Sequence, residues 1–256
     1  ATETRRKLMS KIKHIFDTAP KNFGQDDFTF RLRMGSLVNG RPMSHDTWRF
    51  TTGDPDVAEK IVLGYGGEAK EWETKTDETL EILSTEKRVE VILESLSSDF
   101  VMFGQNNKPI RACNGEVQRL GLDEAKPCAC AAAYSNAQEW KQAAKDGLAC
   151  KPMVKATFRL AEYPELGLGR YESSSWSLAT GDPEWKKDKM DEGQIWQPPI
   201  ADVQDQLEHF HGRAMASFEI VGVEFKTKAG KHVSYTKPQI TILGAVTESV
   251  VALLDA

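Results

Sequence analysis

The chain has 256 residues, 40% hydrophobic and 28% charged, which is the profile of a globular protein and excludes a disordered or fibrous one. That length can bury a large core, in one domain or in two. A net charge of −5 and a pI near 5.7 argue against a non-specific DNA-coating protein, which relies on a basic surplus to displace counterions from phosphates, while a local basic patch stays open.

The run ATETRRKLMSKIKHIFD is basic and lacks the apolar core of a signal peptide. Within it Leu8, Ile12, Ile15 and Phe16 share one helical face, Arg5, Arg6, Lys7, Lys11 and Lys13 take much of the rest, and Pro20 ends the pattern. This predicts a surface helix packed on the core; docking to an acidic partner or to DNA is the sharper alternative. After a loop containing Gly and Asn, DTWRFTT alternates as a strand. GDPDVAEKIVLGYGG then predicts a helix, with Asp54 as N-cap, Pro55 at the first position and Gly64, Gly66 and Gly67 as the stop.

TLEIL, RVEVIL and FVMFG predict three further strands, the last running into the turn QNNKP. Beyond a cysteine-bearing segment, MVKATFRLAEY and GRYESSSWSL predict two strands joined at PELG. Residues 181–200 are charged, end in QPP and read as a surface excursion. ADVQDQLEHF predicts a helix, and the stretch from Ala216 to Leu243 a hairpin with Ala229-Gly230 in its turn. WRFTTGDP (48–55) and WSLATGDP (176–183) share a Trp and Thr-Gly-Asp-Pro, which predicts a duplicated strand–cap–helix unit. The apolar run ITILGAVTESVVALL is broken by Glu248 and too short to span a bilayer. Together these features predict a cytoplasmic protein without membrane association. Its fold is expected to be a single α+β domain over 1–256, mainly an antiparallel sheet with several helices and an embedded zinc-binding loop segment at 111–153.

The zinc expectation comes from the cysteines. All four, Cys113, Cys128, Cys130 and Cys150, fall within one short window, in a chain expected to live in a reducing compartment where lasting disulfides are rare. Thiolates are soft, charged ligands, and four of them give zinc the closed tetrahedral shell of a structural ion. Fourteen residues separate Cys113 from Cys128 and nineteen separate Cys130 from Cys150. The Cys-x-Cys pair departs from the commoner spacing of two to four residues. Gly115, Gly121, Pro127 and Gly147 mark loops between the ligands, and NAQEWKQAAKD offers a short helix. Four buried free thiols acting as small hydrophobes, or disulfides, are the competing readings. A four-thiolate shell leaves no open position for water, so the ion would be scaffold rather than catalyst.

Other chemistry is weaker. GYGGE follows a helix instead of a strand and reads as a helix stop, not a phosphate loop. His209 and His211 lie two apart on a predicted helix and point to different faces. ESSSW lacks the glycines of a nucleophile elbow, and no His-Glu-x-x-His pattern occurs. No nucleophile, base and oxyanion site assemble, so no catalytic residues and no small-molecule substrate are expected.

Three patterns in order, WRFTTGDPDVAEKIVLGYGGEAKEWE, the cysteine segment ending CKP, and FRLAEYPELGLGRYESSSW, resemble recombination directionality factors of actinobacterial temperate phages that integrate with a large serine integrase. The resemblance implies an accessory protein and not an enzyme. Its partner would be the integrase of the same phage, bound on attachment-site DNA, with little or no DNA binding alone. The integrase would be switched to excision between hybrid sites (attL × attR), and attP × attB recombination inhibited. Physically this is a population shift set by differential affinity for two arrangements of the integrase. The alternative class is a phage single-strand-binding or replication accessory, which needs a basic groove with stacking aromatics. Trp48, Trp72, Trp140, Trp176, Trp185 and Trp196 are plentiful, but basic runs do not interleave with them.

Overall fold

The computed structural model describes residues 28–247 except 75, 106–107, 121–124, 135, 183–187, 189–195 and 227–229. The amphipathic segment at 5–16 therefore lies outside the described residues.

The fold is α+β and mostly sheet. In chain order the strands are β1 (Phe28–Val38), β2 (Arg41–Thr52), β3 (Ala69–Glu71), β4 (Leu80–Leu83), β5 (Arg88–Phe103), β6 (Pro109–Cys113), β7 (Lys151–Leu160), β8 (Leu168–Ser173), β9 (Ala214–Lys226) and β10 (His232–Gly244). The helices are α1 (Pro55–Tyr65), α2 (Ala129–Ala133), α3 (Ala137–Lys145), α4 (Trp176–Thr180) and α5 (Ile200–His209). One sheet holds all ten strands in the order β10-β9-β5-β7-β8-β1-β2-β4-β3, with β6 beside the second half of β5. Every pairing is antiparallel except β1 with β8.

Alternation decides which face is buried. Phe30 and Leu32 on β1, Trp48 and Phe50 on β2, Ala156 and Phe158 on β7, and Ala216 and Phe218 on β9 all point into one core. Their neighbours Arg31, Arg33 and Arg49 take the opposite face. There Glu78 accepts from Arg31, from Arg33 at 2.9 Å and from the Thr51 hydroxyl at 2.8 Å. Arg49 pairs with Glu81 at 2.6 Å and stacks on Trp72.

The sheet does not stay flat. Strands β2 and β9 stand five places apart in it, yet the fully buried Trp48 donates its indole N–H to the Phe218 carbonyl at 3.2 Å. The same indole meets Tyr171 edge-on at 5.6 Å. The sheet thus curls around its own aromatic side chains into a half-barrel, whose open side is closed by α1, α4 and α5 through Ile61, Leu178 and Val203.

Helix α1 forms as its sequence predicts: Asp54 accepts from the amides of Asp56 and Val57, Pro55 starts it, and Gly66 ends it at φ 71°. Two expectations need correction. RVEVIL and FVMFG are not separate strands but one sixteen-residue β5, shifted in register at Glu94, a buried carboxylate held between Arg159 and Arg213. The predicted duplication also fails. Trp48 sits mid-strand, whereas Trp176 opens α4, because Ser175 caps that helix by accepting from the Leu178 amide. The second predicted strand thus ends at Ser173.

The base of the 181–200 excursion is tied down. Asp182 accepts from Lys237 at 2.6 Å, its carboxylate also accepts from the Gln197 amide at 3.2 Å, and its own amide donates to the Gln197 carbonyl at 2.8 Å. The buried Gln197 in turn accepts from the Ile240 amide at 3.1 Å, so it covers part of edge strand β10.

Candidate functional site

The cysteine segment forms a small lobe on the β5–β6 side of the sheet. The β5–β6 ladder pairs Phe100 with Cys113 and so delivers the first sulfur. Asn114 then makes a tight turn, its side chain accepting from the amides of Glu116 and Val117, with Gly115 at φ 97°. Two isolated bridges, Cys113 with Gln118 and Val117 with Pro127, fold the chain back, and the Cys128 amide donates to Glu116 at 2.7 Å. Cys128 precedes α2 and Cys130 lies inside it. Asn136 caps α3 by accepting from the amides of Gln138 and Glu139, and the chain returns to Cys150 just before β7.

All four cysteines are free and buried, and they form one cluster with Ala143 and Ala149. The Sγ atoms of Cys128 and Cys113 are 3.1 Å apart, and the Cys150 amide donates to Cys130 Sγ at 3.5 Å. The Cys113 thiol is pulled down to about 6, chiefly by a hydrogen bond from Cys150, against its burial and aided by Cys128 and the Gly115 amide. Burial and the bond it donates to Cys113 push Cys128 up to about 11, although the amides of Ala131 and Cys130 oppose this. Cys150 is driven upward as well, first by donating to Cys113 and then by burial. Cys113 thus accepts from two neighbouring thiols, and Arg111 Nη1 lies 3.9 Å from the sulfur of Cys130.

Such a set has the donor chemistry of a zinc site. Among the described residues, however, no group of three or more His, Cys, Asp or Glu already stands in metal-binding geometry. The 3.1 Å sulfur separation is shorter than the edge of about 3.8 Å of a tetrahedron with bonds of about 2.3 Å. Holding an ion would require the sulfurs to spread by several tenths of an ångström.

The structure thus brings together all four predicted residues, and it adds three that the sequence reading passed over. Arg111 stands two positions before Cys113, and nothing in its spacing marks it. Trp140 donates its indole N–H to the Cys150 carbonyl at 2.8 Å, and Phe100 stacks on Trp140 at 4.8 Å and lies 5.8 Å from Trp176. These rings fasten the lobe to the sheet and to α4. His209 remains apart from the cluster, edge-on to Phe210. Among the described residues the tryptophans do not form a stacking row: Trp48 is core, Trp72 lies against Arg49, and Trp140 and Trp176 pack on each other. Trp185 lies outside the described residues.

Fold and site define an α+β protein whose densest reactive chemistry, among the described residues, is a buried thiol cluster beside a curled sheet. The sequence model of a family described as Gp3-like, recombination directionality factor-like, matches residues 17–181, from ahead of β1 to the end of α4. The chain belongs to this recombination directionality factor-like family. No solved structure matches the chain. Among the described residues no helix is long and apolar enough to cross a membrane.

Proposed function

We propose that this protein is a phage recombination directionality factor. It binds the large serine integrase of its own phage on attachment-site DNA, permits excision between attL and attR, and inhibits recombination of attP with attB. The observation that carries this reading is the family match, which takes in the sheet from β1 to β8, the whole cysteine lobe and α4. The protein acts without catalysis, in the cytoplasm of the bacterial host, as a ligand that prefers one arrangement of the integrase over the other. A tenfold bias between the two arrangements needs only about 1.4 kcal/mol of differential affinity. The DNA is read by the integrase, which suits an acidic accessory with net charge −5.

Within this reading the lobe at 111–153 is a structural zinc element of a single α+β unit spanning 1–256. Cys113, Cys128, Cys130 and Cys150 would hold the ion. When bound, zinc supplies a closed shell that locks the end of β6, α2 and the start of β7 together. Arg111 offsets part of the negative charge that four thiolates leave after one divalent ion is bound. The test is a recombination assay with purified integrase on both site pairs: added protein should raise attL × attR product and lower attP × attB product. No change for either pair rejects the reading, and tight binding to bare single strands would replace it with a replication accessory.

A further inference from the structure

Three parts of the chain meet in a cleft beside the end of α1. Gly64 and Tyr65 close that helix, and the Thr85 amide and hydroxyl both donate to the Tyr65 carbonyl, at 3.0 and 3.2 Å, which brings the turn before β5 alongside. The Ala161 amide donates to the Glu90 carbonyl at 3.0 Å and adds the residues that follow β7. Glu86, Arg88 and Glu90 line the cleft from β5 and the turn before it, and Ala161 and Glu162 line it from beyond β7; its volume is about 450 Å³. Position 64 is glycine because a Cβ there would run into the Tyr163 ring.

The carboxylates are unevenly satisfied. Glu90 is paired with Arg88 at 3.0 Å. The Glu86 carboxylate accepts from the Thr85 hydroxyl at 3.5 Å and Glu162 accepts from the Tyr163 hydroxyl, but neither has a cationic partner among the described residues. Tyr65 adds a buried polar atom. It is 6% exposed, and its ring stacks on Phe50 in the core at 5.4 Å, so the hydroxyl end is what reaches the cleft. That hydroxyl has no hydrogen-bond partner among the described residues. Burial first, then Glu162, Tyr163 and Glu90, drive its ionisation upward, so it stays a neutral phenol in a negative field. A buried polar group without a partner is costly to a fold and points to a ligand that completes it.

We propose that this cleft binds a guanidinium group, the head of an arginine side chain presented by the integrase. A guanidinium carries one positive charge and five donors in a planar fork, with no acceptor. The cleft offers the complement: two carboxylates without a cation and a phenol oxygen without a partner. A lysine ammonium gathers its three donors at one point and reaches fewer of these oxygens. A divalent ion needs its oxygens within about 2.6 Å of one centre, and among the described residues no acidic group converges in that way. The volume matches a side-chain-sized ligand rather than a bare ion. The ligand class stands on the cleft alone. Its source rests on the directionality reading, since an integrase seated on DNA displays arginines for phosphate contact.

The test has two arms, both with the full chain. In the first, Nα-acetyl-arginine amide is titrated and followed by amide chemical shifts. Shifts should concentrate at Gly64, Tyr65 and Glu162 and saturate with a dissociation constant of about 1 mM, as suits so small a ligand. The neutral citrulline analogue and magnesium chloride should leave them unmoved. Tyr65→Phe, which removes only the hydroxyl, and Glu86→Gln/Glu162→Gln, which removes only charge, should each weaken binding about tenfold or more. Asp205→Asn, on exposed α5 surface, should not. Melting temperatures report the folding of each variant separately. Absence of localised shifts, equal binding of citrulline or magnesium, or variants that bind like the parent would overturn the site. In the second arm the same variants are tested for supershift of integrase already bound to hybrid-site DNA, and Glu86→Gln/Glu162→Gln should weaken it about tenfold. An unchanged supershift, with the probe still bound by the parent, overturns the integrase as the source and leaves the directionality reading standing. A parent that binds the probe but never supershifts overturns that reading and leaves the guanidinium site.

Discussion

Replacing Cys128 by Ser distinguishes a zinc-bearing lobe from a merely packed one, because the structure sets a different size of effect for each. Without metal, a serine hydroxyl would stand where Sγ now lies 3.1 Å from Cys113 Sγ, beside the amides of Cys130 and Ala131. It could still donate to Cys113, so little hydrogen bonding would be lost and the change would be about 1 kcal/mol. In a chain of this size that shifts the melting temperature by about 2–4 °C. With metal, the variant forfeits one of four ligands to an ion whose binding is worth about 10–16 kcal/mol in structural sites. A loss of at least about 4 kcal/mol, and a fall of more than about 10 °C, is then expected. The assay is calorimetry of parent and variant with and without a chelator, alongside elemental analysis. The account expects close to one equivalent of zinc in the parent and a chelator-treated parent that melts near the variant. Less than about half an equivalent, together with a variant that melts within about 4 °C of its parent, would refute the zinc-bearing lobe.

Two further substitutions probe the sheet. Trp48→Phe should destabilise the protein by about 2–4 kcal/mol, because it leaves the buried Phe218 carbonyl without its donor and opens a cavity where the sheet curls on itself; a change below about 1 kcal/mol in urea unfolding would contradict that role. Glu78→Gln addresses pH. Burial alone would raise the Glu78 carboxyl, but the Thr51 and Arg33 hydrogen bonds and the Arg31 and Arg33 charges outweigh it and hold it below its ordinary 4.5. A depressed carboxylate stabilises the fold at neutral pH and loses that contribution as pH falls through its folded value. Parent and variant should therefore differ by about 1–2 kcal/mol at pH 7 and converge as pH falls below 4.5. A gap independent of pH would contradict the assignment.

Local signals in the sequence define some elements by themselves. Asp54, Pro55 and Gly66 delimit α1 by capping chemistry that any sequence displays, and the β9–β10 hairpin follows from alternation on either side of Ala229-Gly230. The convergence of four cysteines was legible because cysteines are few and clustered. What stayed hidden depends on distant partners. Strand β1 has no clear local signal, since FTFRLR alternates Phe and Leu with arginines whose partner, Glu78, lies more than forty residues away, and GSLVNG looks like a loop although Asn39-Gly40 is a hairpin turn. The polar Ser97-Ser98-Asp99 inside β5 looked like a break. It is where the strand leaves the main core for the cysteine lobe, with Asp99 paired to Arg119 at 2.8 Å. GRYESSSWSL reads as one strand through Trp176, and only the Ser175 cap, which accepts from the Leu178 amide, makes Trp176 helical. The parallel pairing of β1 with β8 and the contact between β2 and β9 have no local signature at all.

The most direct measurement of the central claim is recombination by the cognate integrase on supercoiled substrates, run with attL × attR and with attP × attB at rising concentrations of this protein. A directionality factor should raise excision product from near background and depress integration product over the same concentration range, because one binding event biases both reactions. Product levels that stay flat for both site pairs, with an integrase shown to be active alone on attP × attB, would contradict the account.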